Sequence, residues 1–223
     1  MNYILPILAV LLGFFFVLAV KPKKKKNIRL LLAFSGAFLL SLTVFSLLPE
    51  VYGGDDARQI GLFIILGILL QIFLEFFSKG AEHGHIHLHQ HQRVFPWLIF
   101  ISLALHSIVE GFPIHEHENL VYGIVIHKLP VAIMLSTFFL ESSVKRQHVF
   151  IFLILFSLMT PLGTLLAEYV GFLKVYSRQV SAIAVGIFLH ISTIILFESS
   201  EGHTFNRNKL AVILIGIAAA YFL

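Results

Sequence analysis

The sequence predicts an all-α integral membrane protein with eight transmembrane helices. Of its 223 residues, 58% are hydrophobic and only 13% are charged, whereas the surface of a soluble domain of this size needs far more charge. Apolar runs of about 20 residues, the length that crosses a hydrocarbon core of roughly 30 Å, recur along the whole chain. The connectors between the runs are short, so we expect residues 1–223 to form a single transmembrane domain.

The predicted spans are separated by charged, proline-containing or glycine-containing segments. The first span has the length of a signal peptide, but its basic residues follow the apolar run instead of preceding it, so we interpret it as a membrane helix. We expect span 2 to stop at Pro49, because proline lacks the backbone N–H that continues a helix. In chain order the spans are Tyr3–Val20, Ile28–Leu48, Gln59–Ser78, Val94–Phe112, Leu120–Leu140, His148–Val170, Ser177–Glu198 and Asn208–Leu223.

The distribution of basic residues predicts the orientation of these spans. Of the 16 Lys and Arg residues, twelve fall in the loops of one side, three fall on the other side, and Lys128 lies within a span. Because cytoplasmic loops carry the excess of basic residues, both termini are expected on the non-cytoplasmic side, and segment 79–93 is expected to be a cytoplasmic loop. The formal charge of +4 therefore reflects topology, and we expect the lipid bilayer, not a nucleic acid, as the partner.

Three ionisable side chains in spans 4 and 5 predict a metal site. His106 and Glu110 are four residues apart, which places them on one face of a helix, and His127 lies at similar depth in the next span. A charge at mid-membrane costs at least ~2.5–3.5 kcal/mol, so such residues indicate function. Imidazole nitrogen and carboxylate oxygen are suitable ligands for Zn²⁺ and other divalent transition metals, and the chain has no cysteine to supply thiolates.

Two loops carry further histidines that are candidates for auxiliary metal binding. In the histidine-rich loop, every second residue from position 83 to position 91 is a histidine, and histidines at this density bind Zn²⁺, Ni²⁺ or Cu²⁺. The alternative interpretation is a solvated linker with dispensable histidines. The short outer turn between the two ligand-bearing spans can collect ions at an entrance. The candidates are His83, His85, His87, His89 and His91 in the histidine-rich loop, with His115, Glu116 and His117 in the outer turn.

Three more polar residues are candidates for the pathway. Glu75 lies near the inner end of span 3 and is either a pathway residue or an interfacial one. His190 in span 7 lines the pathway or only donates a hydrogen bond to a neighbouring helix. Ser46, close to the end of span 2, offers a weak oxygen ligand.

The ordered set of motifs resembles the ZIP (Zrt/Irt-like) family of metal-ion transporters along the whole chain. The resemblance implies a ZIP-like bundle of eight helices with both termini outside, a homodimer, transport instead of catalysis, and no prosthetic group. It also implies that His106, Glu110 and His127 are the primary ligands. The matching motifs are His106-Ser107-x-x-Glu110-Gly111, His127-Lys128, Leu47-Leu48-Pro49-Glu50, Met159-Thr160-Pro161-Leu162-Gly163 and Gly186-Ile187-Phe188-Leu189-His190.

This sequence departs from the common ZIP pattern beside the ligands. Ser107 stands where many members have Asn, and Val131 stands where many have Glu. Lys128 occupies the position at which members with two metals have a carboxylate. A second cation beside an ammonium group in a poorly hydrated site meets strong Coulomb repulsion. We therefore expect one central metal ion, with Lys128 paired to Glu110.

The sequence thus predicts a carrier that moves divalent metal ions into the cytoplasm by alternating access. Zinc is the first expectation, with iron and manganese as further cargoes, and a bacterial inner membrane is the expected location. The chain has no ATP-binding loop, so gradients must drive transport. The alternatives are a histidine-rich metal sensor, a haem protein and an intramembrane metalloenzyme, although the His-Glu-x-x-His arrangement of zinc peptidases is absent.

Overall fold

The computed structural model describes residues 1–21, 25–54, 56–78, 95–115, 120–198 and 207–223. Every element of regular secondary structure in these residues is a helix. The long apolar runs form the helices because, in lipid, every backbone N–H and C=O must be satisfied within its own segment. The helices are α1 (Ile4–Val20), α2 (Lys25–Leu42), α3 (Leu48–Val51), α4 (Ala57–Ser78), α5 (Trp97–Gly111), α6 (Leu120–Glu141), α7 (Arg146–Tyr169), α8 (Gly171–Val175), α9 (Ser177–Glu198) and α10 (Arg207–Tyr221).

The helix ends follow the predicted spans closely. Within the described residues, six helical stretches are long and apolar enough to cross a membrane: Asn27–Val51, Ala57–Ser78, Trp97–His115, Leu120–Glu141, Arg146–Tyr169 and Ser177–Phe197. The first and last helices, α1 with 17 residues and α10 with 15, are shorter than each of these six stretches. The chain is therefore an integral membrane protein of α-helices.

The prediction that span 2 stops at Pro49 is wrong. A five-residue π-helical turn, Thr43–Leu47, follows α2 and leads directly into α3, with the proline in the first turn of α3. A proline in a regular α-helix clashes with the carbonyl one turn earlier, and the wider π turn accommodates it. The helical rod consequently continues to Val51.

Two clusters of buried apolar residues hold the helices together. The first joins α2, α4, α9 and α10 with part of α6, through residues such as Phe38 and Phe188. The second joins α1, α5, α6 and α7, through residues such as Leu103 and Phe152. Helix α6 contributes to both clusters, and 67% of its apolar stretch is buried against 28% for α4. Helix α6 is thus central, whereas α4 lies at the outside of the helix bundle.

Glycine pairs bring two pairs of helices into backbone contact. A Cβ atom at Gly111 of α5 would collide with the carbonyl oxygen of Thr160 in α7, and one at Gly163 would collide with that of Ile108. Helices α4 and α9 cross in the same way at Gly67 and Gly186. Small residues that permit close backbone approach are typical of helix interfaces in membranes.

Candidate metal site

The three predicted ligands converge at one point in the interior. One ligand atom from each of His106, Glu110 and His127 lies within 4.8 Å of the others, and all three residues are buried. Helix α5 supplies the first two from successive turns of one face, and α6 supplies the third. The rings of the two histidines are nearly perpendicular, with centroids 6.5 Å apart. Two imidazoles and one carboxylate in this arrangement can together hold a divalent transition metal ion.

The two oxygen atoms of Glu110 have different surroundings. Its Oε2 lies 2.8 Å from Nζ of Lys128 and accepts a longer hydrogen bond, 3.4 Å, from the hydroxyl of Thr160. Its Oε1 is buried and accepts no hydrogen bond from the described residues. A buried carboxylate oxygen without a donor is costly unless a cation satisfies it. The carboxylate is therefore neutralised on one side, and its other oxygen is buried with no hydrogen-bond donor among the described residues.

The Lys128 side chain remains inside the protein and does not extend to the membrane surface. It is 2% exposed, and Nζ donates a hydrogen bond to Oγ of Ser107 at 3.0 Å as well as pairing with Glu110. The ammonium group also lies 4.7 Å from the centre of the Phe156 ring, at the distance of a cation–π contact. A fixed positive charge thus occupies the space beside the three ligands.

Three residues that border the site were not among the predicted site residues, although Thr160 lies in one of the motifs that match the ZIP family. Oγ of Ser35, on α2, lies 3.2 Å from Nδ1 of His127. Thr160 and Phe156 approach the Glu110–Lys128 pair from α7. Hydroxyl and aromatic residues are common in apolar spans, so only tertiary contact distinguishes these three from their neighbours. For Ser35 the sequence offers only a polar residue within an apolar run, whereas Thr160 also belongs to the motif Met159–Gly163 that matches the ZIP pattern.

A second carboxylate–histidine pair lies between α4 and α9. Nε2 of His190 is 2.9 Å from Oε2 of Glu75, and the side chains are 14% and 25% exposed. Glu75 also lines an open groove of about 440 Å³ with Thr193, Ile194 and Phe197. Among the residues that the structure describes, the only group of three metal-ligating side chains is the central triad of His106, Glu110 and His127, and the Glu75–His190 pair is not part of it.

Comparison with known protein families decides the class of the chain. The model of the family described as ZIP Zinc transporter matches residues 78–223, which include all three converging side chains. The chain belongs to the ZIP family. The resemblance found in the sequence is therefore confirmed. Because members of this family are transporters and not enzymes, the expectation of transport instead of catalysis is confirmed as well.

Individual ZIP relatives cover this chain to different extents. Zinc transporter ZIP1 of Bos taurus is 28% identical over an aligned region that covers 86% of this chain and 76% of the relative. Zinc transporter ZIP1 of Homo sapiens is 32% identical over 54% of this chain and 41% of the relative. Protein zntD of Dictyostelium discoideum is 27% identical over 57% of this chain and 22% of the relative. The chain thus spans less than half of the last two relatives.

The remaining predicted metal-binding or pathway residues of this ZIP chain either lie away from the triad or fall outside the residues that the structure describes. Ser46 has an exposed side chain within the π-helical turn. His115 is exposed at the end of the 3₁₀ turn Phe112–His115, which continues α5. The remaining auxiliary candidates lie outside the described residues: His83, His85, His87, His89, His91, Glu116 and His117.

Proposed function

We propose that this ZIP chain is a membrane carrier that moves divalent transition-metal ions into the cytoplasm by alternating access through one central site. The observation that carries the proposal is the convergence of His106, Glu110 and His127 in a buried position between two membrane helices. Three protein ligands leave a coordination position open, as suits a site that must bind and release its ion. Zinc is the first cargo to test, supported by the relatives named as zinc transporters, and iron and manganese follow.

One ion per protomer follows from the charge of Lys128. Its ammonium group lies 2.8 Å from Glu110, so a second divalent cation bridging this carboxylate would meet a fixed positive charge inside the protein. Lys128 also balances the Glu110 charge while the carrier returns without cargo. A stoichiometry near two ions per protomer in the wild-type protein would contradict this part of the proposal.

The proposed topology places eight membrane helices in one domain with both termini on the non-cytoplasmic side. Ions enter from the side of His115 and leave toward the histidine-rich segment 79–93, and the Glu75–His190 pair stands on the inner part of the route. The asymmetry of basic residues supports this orientation. A homodimer and a bacterial inner membrane complete the proposal.

Uptake into proteoliposomes tests the proposal directly. Purified protein is reconstituted with a metal-sensitive dye inside the vesicles and exposed to Zn²⁺, Fe²⁺, Mn²⁺ or Cd²⁺. We expect uptake by the wild type and its loss in His106→Ala and Glu110→Ala. The matched control is His148→Ala, because His148 is a half-buried histidine at the start of α7 and outside the triad.

The outcomes separate the proposed carrier from other functions. Normal uptake by the two triad variants would place the pathway elsewhere. Tight metal binding by the wild type without any uptake would favour the histidine-rich sensor. A purified protein with a Soret band would favour the haem protein.

A further inference from the structure

We infer that Ser35 is a positioning residue of the metal site, which holds the His127 ring in both the loaded and the empty carrier. This inference rests on the proposed function. It assigns a role to α2, which contributes none of the three metal ligands. Ser35 acts through His127 and does not itself contact the ion.

The geometry assigns the two nitrogen atoms of the His127 ring. Oγ of Ser35 lies 3.2 Å from Nδ1, and both residues are buried. With Nδ1 engaged by the hydroxyl, Nε2 is the ring nitrogen that can bind the ion. Metal-binding histidines in proteins hold their second nitrogen in such a hydrogen bond, which fixes the orientation and tautomer of the ring.

A hydroxyl group is a suitable hydrogen-bond partner for a histidine that binds and releases a metal ion in every transport cycle. When Nε2 binds the ion, Nδ1 carries the ring proton and donates it to Oγ of Ser35. When the site is empty, the hydroxyl of Ser35 can donate to Nδ1 while the ring proton moves to Nε2. The neutral ring keeps one proton in both states, and the hydroxyl satisfies Nδ1 in both because it is both donor and acceptor.

The packing of α2 against α6 holds this contact at hydrogen-bonding distance. Gly123 of α6 faces α2, and a Cβ atom there would collide with Leu42 and lie 3.5 Å from the ring of Phe38. The residue after Ser35, Gly36, packs in turn against Ile195 of α9. Ser35 therefore reaches His127 from a helix that is fixed in the first apolar cluster.

Equilibrium binding of Zn²⁺ to purified Ser35→Ala tests the inference, together with the KM and Vmax of uptake. We expect the affinity to fall by about tenfold, the lower end for loss of a hydrogen bond to a metal-binding histidine, and KM to rise with little change in Vmax. Ser35→Thr retains the hydroxyl and should bind like the wild type. Ser41→Ala is the control, because the buried hydroxyl of Ser41 on the same helix donates to its own backbone at Ala37.

Nitrogen chemical shifts of the His127 ring supply a readout that a purely structural role would not change. In the metal-free wild type we expect the proton on Nε2, with Nδ1 accepting from Ser35, and in metal-free Ser35→Ala a mixture of the two tautomers. Ser35→Ala with wild-type affinity and wild-type ring shifts would overturn the inference, as would an equal loss of affinity in Ser41→Ala. A wild type that binds Zn²⁺ without uptake would overturn the proposed carrier function, while the binding and ring-shift measurements would still decide the role of Ser35.

Discussion

The α5–α7 and α4–α9 crossings share a design but differ in their chemistry. Each is a close backbone contact between glycines, and each has a carboxylate paired with a basic side chain nearby. At the first crossing, Glu110 and Lys128 are almost completely buried, and two histidines face the carboxylate. At the second, Glu75 and His190 are partly exposed and border an open groove.

The difference shows what turns an ion pair into a candidate metal site. Burial makes an unneutralised carboxylate costly, and Lys128 neutralises Glu110, while the two histidines that converge on the same carboxylate add the further ligand atoms that a metal site needs. The Glu75–His190 pair is less deeply buried, so its groups are less costly to leave without a further partner. Depth and the number of converging ligands, more than the presence of histidine and glutamate, therefore separate the two regions.

The largest expected effect comes from removing the fixed charge at the central crossing. Lys128→Met leaves Glu110 buried without its partner, which typically costs about 3–5 kcal/mol of stability. Zn²⁺ should restore the stability of this variant, because the metal ion supplies the missing positive charge. Thermal unfolding in detergent with and without Zn²⁺ measures both effects, and we expect a larger stabilisation by zinc in the variant than in the wild type. A metal-free variant as stable as the wild type would contradict the assigned role of Lys128.

An intermediate effect is expected from adding one methyl group at each crossing. In Gly163→Ala and Gly186→Ala the new Cβ atom collides with a backbone carbonyl, and overpacking of this kind typically costs about 1–3 kcal/mol. We expect similar losses of thermal stability in both variants. Only Gly163→Ala should weaken Zn²⁺ binding, because it displaces the α5 segment that carries Glu110. An equal loss of affinity in Gly186→Ala would show that the two crossings are not independent.

The smallest expected effect is at the partly exposed pair. Glu75→Gln removes a charge that is 25% exposed, so we expect a change in stability of about 0–1 kcal/mol. If the pair stands on the inner route, uptake should become severalfold slower while Zn²⁺ affinity at the central site stays at the wild-type value. Rapid uptake measurements beside equilibrium binding separate the two quantities. A large loss of central affinity would instead place Glu75 in the binding site.

Much of the fold is predictable because membrane helices obey a length rule. Apolar runs of the right length gave helix bounds close to those observed, as for Leu120–Leu140 against Leu120–Glu141. The continuation through Pro49 was not predictable, because the π turn depends on how the backbone relaxes around the proline and not on composition.

The site was partly predictable for a related reason. His106 and Glu110 share a helix, so their spacing alone places them together. The proximity of His127 followed from its similar depth and from the family resemblance. The Lys128–Glu110 pair was expected because Lys128 stands where ZIP members with two metals have a carboxylate. Ser35 and Thr160 come from helices distant in sequence, and no local spacing rule relates them to the ligands.

The π-helical turn Thr43–Leu47 also bears on how related chains can be aligned with this one. A π turn contains one residue more than an α turn that covers the same length of backbone. A relative that lacks one residue here can therefore form an uninterrupted α-helix. Its residues that correspond to Ser35 and to the segment after Pro49 would still face the same neighbouring helices. A one-residue gap at this position in an alignment would then represent a change of local winding, with the residues on both sides keeping their places in the fold.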